Sequence, residues 1–141
     1  MDDDIILNEV ATRVVPMICA FGLYIIFNGH LSPGGGFAGG TVIGVAMVLF
    51  SLVFGLRATF SMVPEGTLIL MISLGPAWYA LTGFVGLFRG AAFLANGNAG
   101  IGLGAAGTIL SAGLIPVIPL GVGISVAITV TVLFVILVEA D

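Results

Sequence analysis

Between Arg13 and Arg57 the chain carries no Asp, Glu, Lys or Arg side chain. A transmembrane α-helix rises about 1.5 Å per residue and needs about 20 apolar residues to cross about 30 Å of hydrocarbon. This run is therefore long enough for two spanning helices and a short turn. Two more charge-free runs follow, one between Glu65 and Arg89 and one between Arg89 and Glu139. The three runs limit the fold more strongly than any short motif does.

The composition also indicates a membrane protein. Of the 141 residues, 60 % are hydrophobic and 7 % are charged, and the mean hydropathy is +1.31. A soluble domain is about 25 % charged, and a β-barrel strand would alternate apolar and polar residues over about ten positions. The apolar runs here are continuous, and in lipid a helix satisfies its own backbone hydrogen bonds. We therefore predict an all-α integral membrane protein with one domain over residues 1–141.

We predict four transmembrane helices, with a glycine-rich turn between the first two and a long loop between the last two. The long loop, residues 91–114, is weakly hydrophobic and could include a short interfacial helix; a fifth span is the alternative. Arg13 and Arg57 fall on the side of the termini and Arg89 on the other, which favours cytoplasmic termini. The predicted spans cover about residues 12–28, 36–56, 67–88 and 117–138.

The most distinctive segment is NGHLSPGGGFAGGTVIG, which runs from Asn28 to Gly44. Ser32 is placed to cap a helix, and Pro33 fits the first helical position, where its missing N–H costs nothing. Beyond them, glycines recur every four residues, so on a helix they share one face that can lie close to another helix. A plain loop is the alternative interpretation of such a segment. The glycines with this spacing are Gly36, Gly40 and Gly44.

The chain offers no catalytic or metal-binding set, and we expect it not to be an enzyme by itself. Its one histidine, His30, and its one cysteine, Cys19, lie apart along the first hairpin and do not make a metal site. A GxGxxG pattern is present, but no strand precedes it and no acid follows about 20 residues later, so we expect no nucleotide cofactor. The net charge of −4 comes mainly from acids near the termini, which argues against nucleic acid as a partner. The glycines of the GxGxxG pattern are Gly34, Gly36 and Gly39.

His30 allows two interpretations. It could belong to a proton or cation path, together with the hydroxyl of Thr41. It could instead be a turn histidine that hydrogen-bonds to backbone carbonyls or to a partner subunit. The second interpretation is favoured because a single titratable group does not make a relay, and no ionisable side chain lies in the middle of a predicted span.

The run GHLSPGGGFAGG, Gly29 to Gly40, resembles the signature of the MnhB/MrpB family, the B subunit of multisubunit Na⁺/H⁺ antiporters. A similar motif occurs in the related subunit of membrane-bound hydrogenase and sulfane-reductase complexes. The chain length, the four-helix plan and the Gly113–Pro116 run before the last helix are also similar to that family. The motif residues, with the glycine that continues their spacing, are Gly29, His30, Ser32, Pro33, Gly34, Gly35, Gly36, Phe37, Gly39, Gly40 and Gly44.

This resemblance implies a small accessory subunit in the plasma membrane of a prokaryote. Its partners would be other membrane subunits of the same complex, with Na⁺ and H⁺ moving at subunit interfaces. Larger antiporter-like subunits would carry the charged relay. The face from Gly36 to Gly44 would then dock helices of those partners. The alternative is an unrelated small membrane protein, either an assembly factor or a homo-oligomeric channel subunit.

Overall fold

The computed structural model describes residues 2–31, 34–108 and 111–139. Five α-helices lie in these ranges: α1 (Asp2–Phe27), α2 (Gly35–Phe54), α3 (Leu56–Met62), α4 (Glu65–Phe88) and α5 (Ile118–Glu139). Two 3₁₀ turns, Gly97–Ala99 and Ile115–Val117, lie between α4 and α5. No strand occurs in the described ranges.

The predicted fold class is confirmed. Among the described residues, four helices are long and apolar enough to cross a membrane, and they are α1, α2, α4 and α5. α1 begins well before the predicted start at residue 12, because an acidic first turn suits a helix N-terminus. The early part of α1 also holds an ion pair between Arg13 and Glu9, one turn apart on an exposed face.

The start of α2 differs from the prediction. The helix begins at Gly35, and Gly34 is its N-cap with φ of 107°. The predicted Ser32 cap and Pro33 first position are therefore wrong for this helix, and both residues lie outside the described ranges. Ser32 and Pro33 were predicted at the start of α2 because serine has a capping side chain and proline has a fixed φ. The chain instead uses a glycine, which alone adopts this positive φ without strain.

α2 ends at a glycine break and continues as the short helix α3. Gly55 has φ of 86° and ψ of 158°, which stops α2 and turns the chain. The Ser51 and Thr59 hydroxyls lie 2.8 Å apart and hydrogen-bond across the break. The segment between the second and third predicted spans is thus partly helical and is fastened to the end of α2.

The four long helices pack in the order α1, α2, α5, α4, and the α2–α5 contact depends on the glycines spaced four apart. A Cβ atom on Gly40 would lie 2.5 Å from the Gly123 carbonyl oxygen, and one on Gly44 would lie 2.7 Å from the Val130 side chain. Gly36 meets the backbone of Pro119 in the same way. Side chains at these positions would hold the two helices apart.

This packing corrects the expected role of the glycine face. The resemblance implied that the Gly36–Gly44 face would dock helices of partner subunits. That expectation is wrong, because α5 of the same chain occupies the face. Surfaces for partners must therefore lie elsewhere on the molecule.

A different face of α2 packs on α1. A Cβ on Gly39 would lie 2.5 Å from the Ile26 side chain and 2.6 Å from the Gly22 carbonyl oxygen. Gly22 in turn lies against Ile43 and the backbone of Gly39. α2 therefore has close helix contacts on two sides, which makes it the central helix of the arrangement.

α4 is held by α5. The Ser125 hydroxyl donates to the Ile72 carbonyl across the two helices at 3.1 Å. The indole Nε1–H of Trp78 donates to the Val117 carbonyl at 2.9 Å. Gly121 makes room for the indole, since a Cβ there would lie 2.5 Å from the ring. Interhelical hydrogen bonds and small residues are the usual means of helix association in lipid.

The segment between α4 and α5 is a folded loop. Apart from the two 3₁₀ turns, the described residues between 89 and 117 contain turns and irregular backbone. The alternative of a fifth span in this segment is therefore wrong. The aromatic ring of Phe93 lies on Gly83, and Leu94 N–H donates to the Gly83 carbonyl at 3.2 Å, so the loop folds back along the end of α4.

We predict that Gly40→Ala destabilises the chain while Gly66→Ala does not. The new methyl at position 40 would collide with the backbone of α5, and overpacking of this kind costs about 1–3 kcal/mol. Gly66, in the first turn of α4, has no atom within 4 Å of the corresponding position and is the matched control. The stability of each variant is measured by heating it in detergent. The fraction that stays monodisperse on size-exclusion chromatography gives the midpoint of unfolding. Equal midpoints for the two variants would contradict close packing at Gly40.

Candidate functional site

The turn between α1 and α2 is closed by glycine. A Cβ on Gly29 would lie 2.6 Å from the Cα of Gly35, so the two sides of the turn are in contact. Gly34 and Gly35 both have positive φ. The Asn28 side chain donates to the Tyr24 carbonyl at 2.9 Å and ends the helix. These contacts fix the backbone on either side of His30.

His30 joins this turn to the distant α4–α5 loop. Its Nε2 lies 2.9 Å from the carbonyl oxygen of Thr108, 78 residues further along the chain. Because a carbonyl only accepts hydrogen bonds, Nε2 carries the hydrogen. In the neutral ring Nδ1 is then an acceptor, and this buried atom has no hydrogen-bond partner among the described residues. An unpaired buried polar atom of this kind needs an explanation.

The loop that His30 contacts is held in shape by one asparagine. Asn96 Nδ2 donates to the Ala112 carbonyl at 2.7 Å, and its Oδ1 accepts from the Leu114 N–H at 3.1 Å. The enclosed Gly113 has φ of 66° and lies directly against the Asn96 amide. Asn96 therefore clamps the chain just before it enters α5.

A second polar side chain stabilises the start of the loop. Arg89 Nη1 lies 3.2 Å from the Gly100 carbonyl and 3.4 Å from the Ala99 carbonyl, to which it donates. From the sequence, Arg89 was interpreted as the end of a charge-free run and as a signal of orientation, and Asn96 lay unnamed within the predicted loop. A signal was available for Arg89, since a lone charge after a long apolar run needs partners, but nothing in the sequence pointed to the carbonyls that it binds.

The turn and the loop form an open cavity of about 410 Å³. His30 and Asn96 line it, and so does Ser111, whose residue surface is 5 % exposed. Apolar side chains, including Leu103 and Ile115, complete the wall. The cavity thus combines an apolar rim with a few polar groups, which is typical of a site that receives a polar atom from another molecule.

Thr41, the other residue proposed for an ion path, lies elsewhere. Its hydroxyl donates to the Phe37 carbonyl one turn earlier at 2.9 Å. It lines a shallow hollow with Ile18 and Val45, whereas His30 lines the cavity at the loop. The structure therefore does not bring Thr41 and His30 together.

Among the remaining motif residues, the glycines of α2 have packing positions and Phe37 does not. Phe37 is 67 % exposed and points away from the helix contacts. Gly36, Gly39 and Gly40 are buried in helix contacts, and Ser32 and Pro33 lie outside the described ranges. In the part of the chain that the structure describes, no group of three or more His, Cys, Asp or Glu residues could hold a metal ion. The glycines of the motif are thus packing residues, and near its start lies one histidine whose Nδ1 has no hydrogen-bond partner among the described residues.

Comparison with known proteins agrees with the family resemblance of the Gly29–Gly40 motif. A family model described as a domain related to the MnhB subunit of Na⁺/H⁺ antiporter matches residues 6–132. The chain belongs to the MnhB family. Proteins named as antiporter subunit mnhB2 from Staphylococcus aureus strains Newman and COL are each 35 % identical to it over 95 residues. These alignments cover 67 % of this chain and 67 % of each relative.

We predict that Asn96→Ala loosens the α4–α5 loop. The substitution removes two hydrogen bonds and leaves the partly buried Leu114 N–H without its partner, at a cost of about 1–3 kcal/mol. The Ala112 carbonyl keeps the bond that it accepts from the Ile115 N–H at 3.3 Å. Hydrogen exchange over residues 96–114 should accelerate, while exchange within α2 should not change. Asn98→Ala is the matched control, since Asn98 is exposed in the same loop. Unchanged exchange in the Asn96 variant would show that the loop does not depend on this clamp.

Proposed function

We propose that the chain is an accessory membrane subunit of a multisubunit Na⁺/H⁺ antiporter. Family membership supports this assignment, and so does one feature of the spans. From Val14 to the end of α2, and throughout α4 after its first residue and α5 before its last, no Asp, Glu, Lys or Arg occurs. A chain that moved protons or cations alone would place ionisable groups at membrane depth. This chain contributes structure, and other subunits supply the charged relay.

The outer surface supports a role inside a larger assembly. Large apolar side chains point outward on each long helix, among them Met17 at 71 %, Phe37 at 67 % and Leu137 at 68 % exposure. Such surface suits either lipid or the helices of neighbouring subunits. The antiporter proposal assigns part of it to neighbours, since an accessory subunit must bury surface against the subunits that carry ions.

The cavity at His30 is the most specific contact point in this proposal. His30 Nδ1 is a buried acceptor without a donor among the described residues, and Ser111 lines the same cavity. A donor from a neighbouring subunit, such as an amide or hydroxyl, would satisfy Nδ1 and remove the cost of leaving it unpaired. Na⁺ and H⁺ would then pass through subunit interfaces rather than through this chain.

The proposed location is the plasma membrane, with the termini on the cytoplasmic side. Arg13 and Arg57 lie on the side of the membrane where the termini emerge, and Arg89 lies at the opposite end of α4. An excess of arginine marks the cytoplasmic face. Cysteine labelling at Asp4 in a Cys19→Ser background checks this orientation.

Co-purification tests the assignment. When the chain is affinity-purified from its native membrane, we expect several larger membrane subunits in fixed stoichiometry, identified by mass spectrometry. The chain expressed alone should be less stable, because its outer surface would lack partners. Recovery of redox subunits would indicate a complex of the membrane-bound hydrogenase type instead. A stable homo-oligomer without other subunits would contradict the proposal and favour a channel.

We predict that His30→Gln reduces assembly but leaves transport per assembled complex largely intact. A glutamine amide can donate to the Thr108 carbonyl and still offer an acceptor, although its reach differs from that of imidazole. Assembly is measured by subunit co-purification, and transport by a pH-sensitive dye in vesicles. Asn98→Gln, on the exposed surface of the same loop, is the control. A fully assembled complex that has lost transport would place His30 in the ion path.

A further inference from the structure

The packing order of the long helices leaves a groove between α1 and α4. α2 and α5 form its floor, and α3 lies across one end. We call this the α3 groove; its volume is about 320 Å³. It is lined mostly by aliphatic side chains, with residues from all five helices. Representative lining residues are Ile26, Met47, Phe60, Met71, Ile128 and Val135.

The described residues that line the groove offer no unpaired polar group. The hydroxyls that line it belong to Thr59 and Thr131. Thr59 is bonded to the Ser51 hydroxyl at 2.8 Å, and Thr131 donates to the Ala127 carbonyl at 2.9 Å. An occupant of the groove therefore gains nothing from polar atoms and must itself be apolar where it is enclosed.

The shape of the groove suits an acyl chain rather than a helix. On α5 the lining extends from Gly123 to Val135, a distance of about 18 Å at the helical rise. One leaflet of the hydrocarbon core is about 15 Å deep, half of the total. A helix with its side chains is about 10–12 Å across, and α3 closes the end through which a spanning helix would have to continue. A volume of about 320 Å³ spread over this length is too small for a helix and fits one acyl chain.

A positive charge lies on α3, the helix at one end of the groove. α3 lies between the end of α2 and the start of α4, so it sits at one face of the membrane. Arg57, in its first turn, is exposed and has no ion pair or hydrogen bond with any described residue. Phe60, one turn further along α3, lines the groove. By contrast, Arg13 is neutralised by Glu9.

We propose that the α3 groove binds one acyl chain of an anionic phospholipid whose phosphate pairs with Arg57. The lipid fills the gap between α1 and α4, which pack mainly on α2 and α5. An arginine guanidinium and a phosphate form charge-assisted hydrogen bonds, which supplies selectivity for anionic over zwitterionic lipid. The site does not depend on the antiporter proposal.

Brominated lipids test the site in the full-length chain reconstituted in phosphatidylcholine vesicles. Trp78 is the only tryptophan, so Phe60→Trp in a Trp78→Phe background gives a single reporter in the groove. Phosphatidylglycerol with brominated acyl chains should quench it at a lower mole fraction than brominated phosphatidylcholine does. Leu52→Trp in the same background, on an outward position that is 65 % exposed, should be quenched equally by both lipids.

Variants that remove one arginine charge show whether the groove selects anionic lipid or contacts any lipid. Arg57→Gln should abolish the preference for phosphatidylglycerol, whereas Arg13→Gln should not. Equal quenching by both lipids in the groove reporter would overturn the proposal, as would a preference that survives Arg57→Gln. Absence of quenching would also overturn the proposal, since no acyl chain would then reach the groove.

A second measurement avoids the tryptophan exchange. Native mass spectrometry counts the phosphatidylglycerol that the otherwise unaltered chain retains after purification in detergent. Loss of one charge-assisted hydrogen bond predicts about tenfold weaker retention in the Arg57→Gln variant. Equal retention by the unaltered chain and this variant would also overturn the proposal.

Discussion

Backbone contact between α2 and α5 is the interaction on which the rest of the fold depends. Apolar side chains gain little by moving from lipid to a helix interface, so helices associate through close van der Waals contact and hydrogen bonds. The row of glycines on α2 makes the backbone itself the contact surface. A Cβ at Gly40 would lie 2.5 Å from a carbonyl of α5. The contact therefore has little tolerance for added atoms, and it sets the position of both helices.

The loop and α4 follow from that contact. Because Gly36 lies against Pro119 at the start of α5, the loop that leads into α5 is brought over the α1–α2 turn, where His30 meets Thr108. α4 is attached through Ser125 and Trp78, which both bond across the α4–α5 contact. α1 and α4 then lie at opposite ends of the row, and the groove between them is a consequence of this order.

Much of the fold could be predicted from local sequence properties, and the contacts between helices could not. Charge-free runs indicated four spans, because the cost of charge in lipid acts on each segment independently. The spacing of Gly36 and Gly40 indicated a close-packing face, but the identity of the neighbouring helix depends on tertiary order, and the prediction of a partner subunit was wrong. Ser32 was predicted as the N-cap of α2 from residue preferences alone, whereas the positive φ at the N-cap required a glycine. The Asn96 clamp was missed because its partners are backbone atoms, which carry no sequence signal.

The free nitrogen of His30 connects this packing to the proposed role. A soluble loop would hydrate such an atom, but here the turn, the loop and their apolar rim enclose it. The fold already fixes the ring through Nε2, so Nδ1 cannot turn away without breaking the bond to Thr108. In the proposed function, this fixed acceptor would receive a donor from a neighbouring subunit. The glycine contacts thus hold in place one ring nitrogen that has no partner among the described residues, and we propose that it helps the subunit to recognise its position in a larger complex.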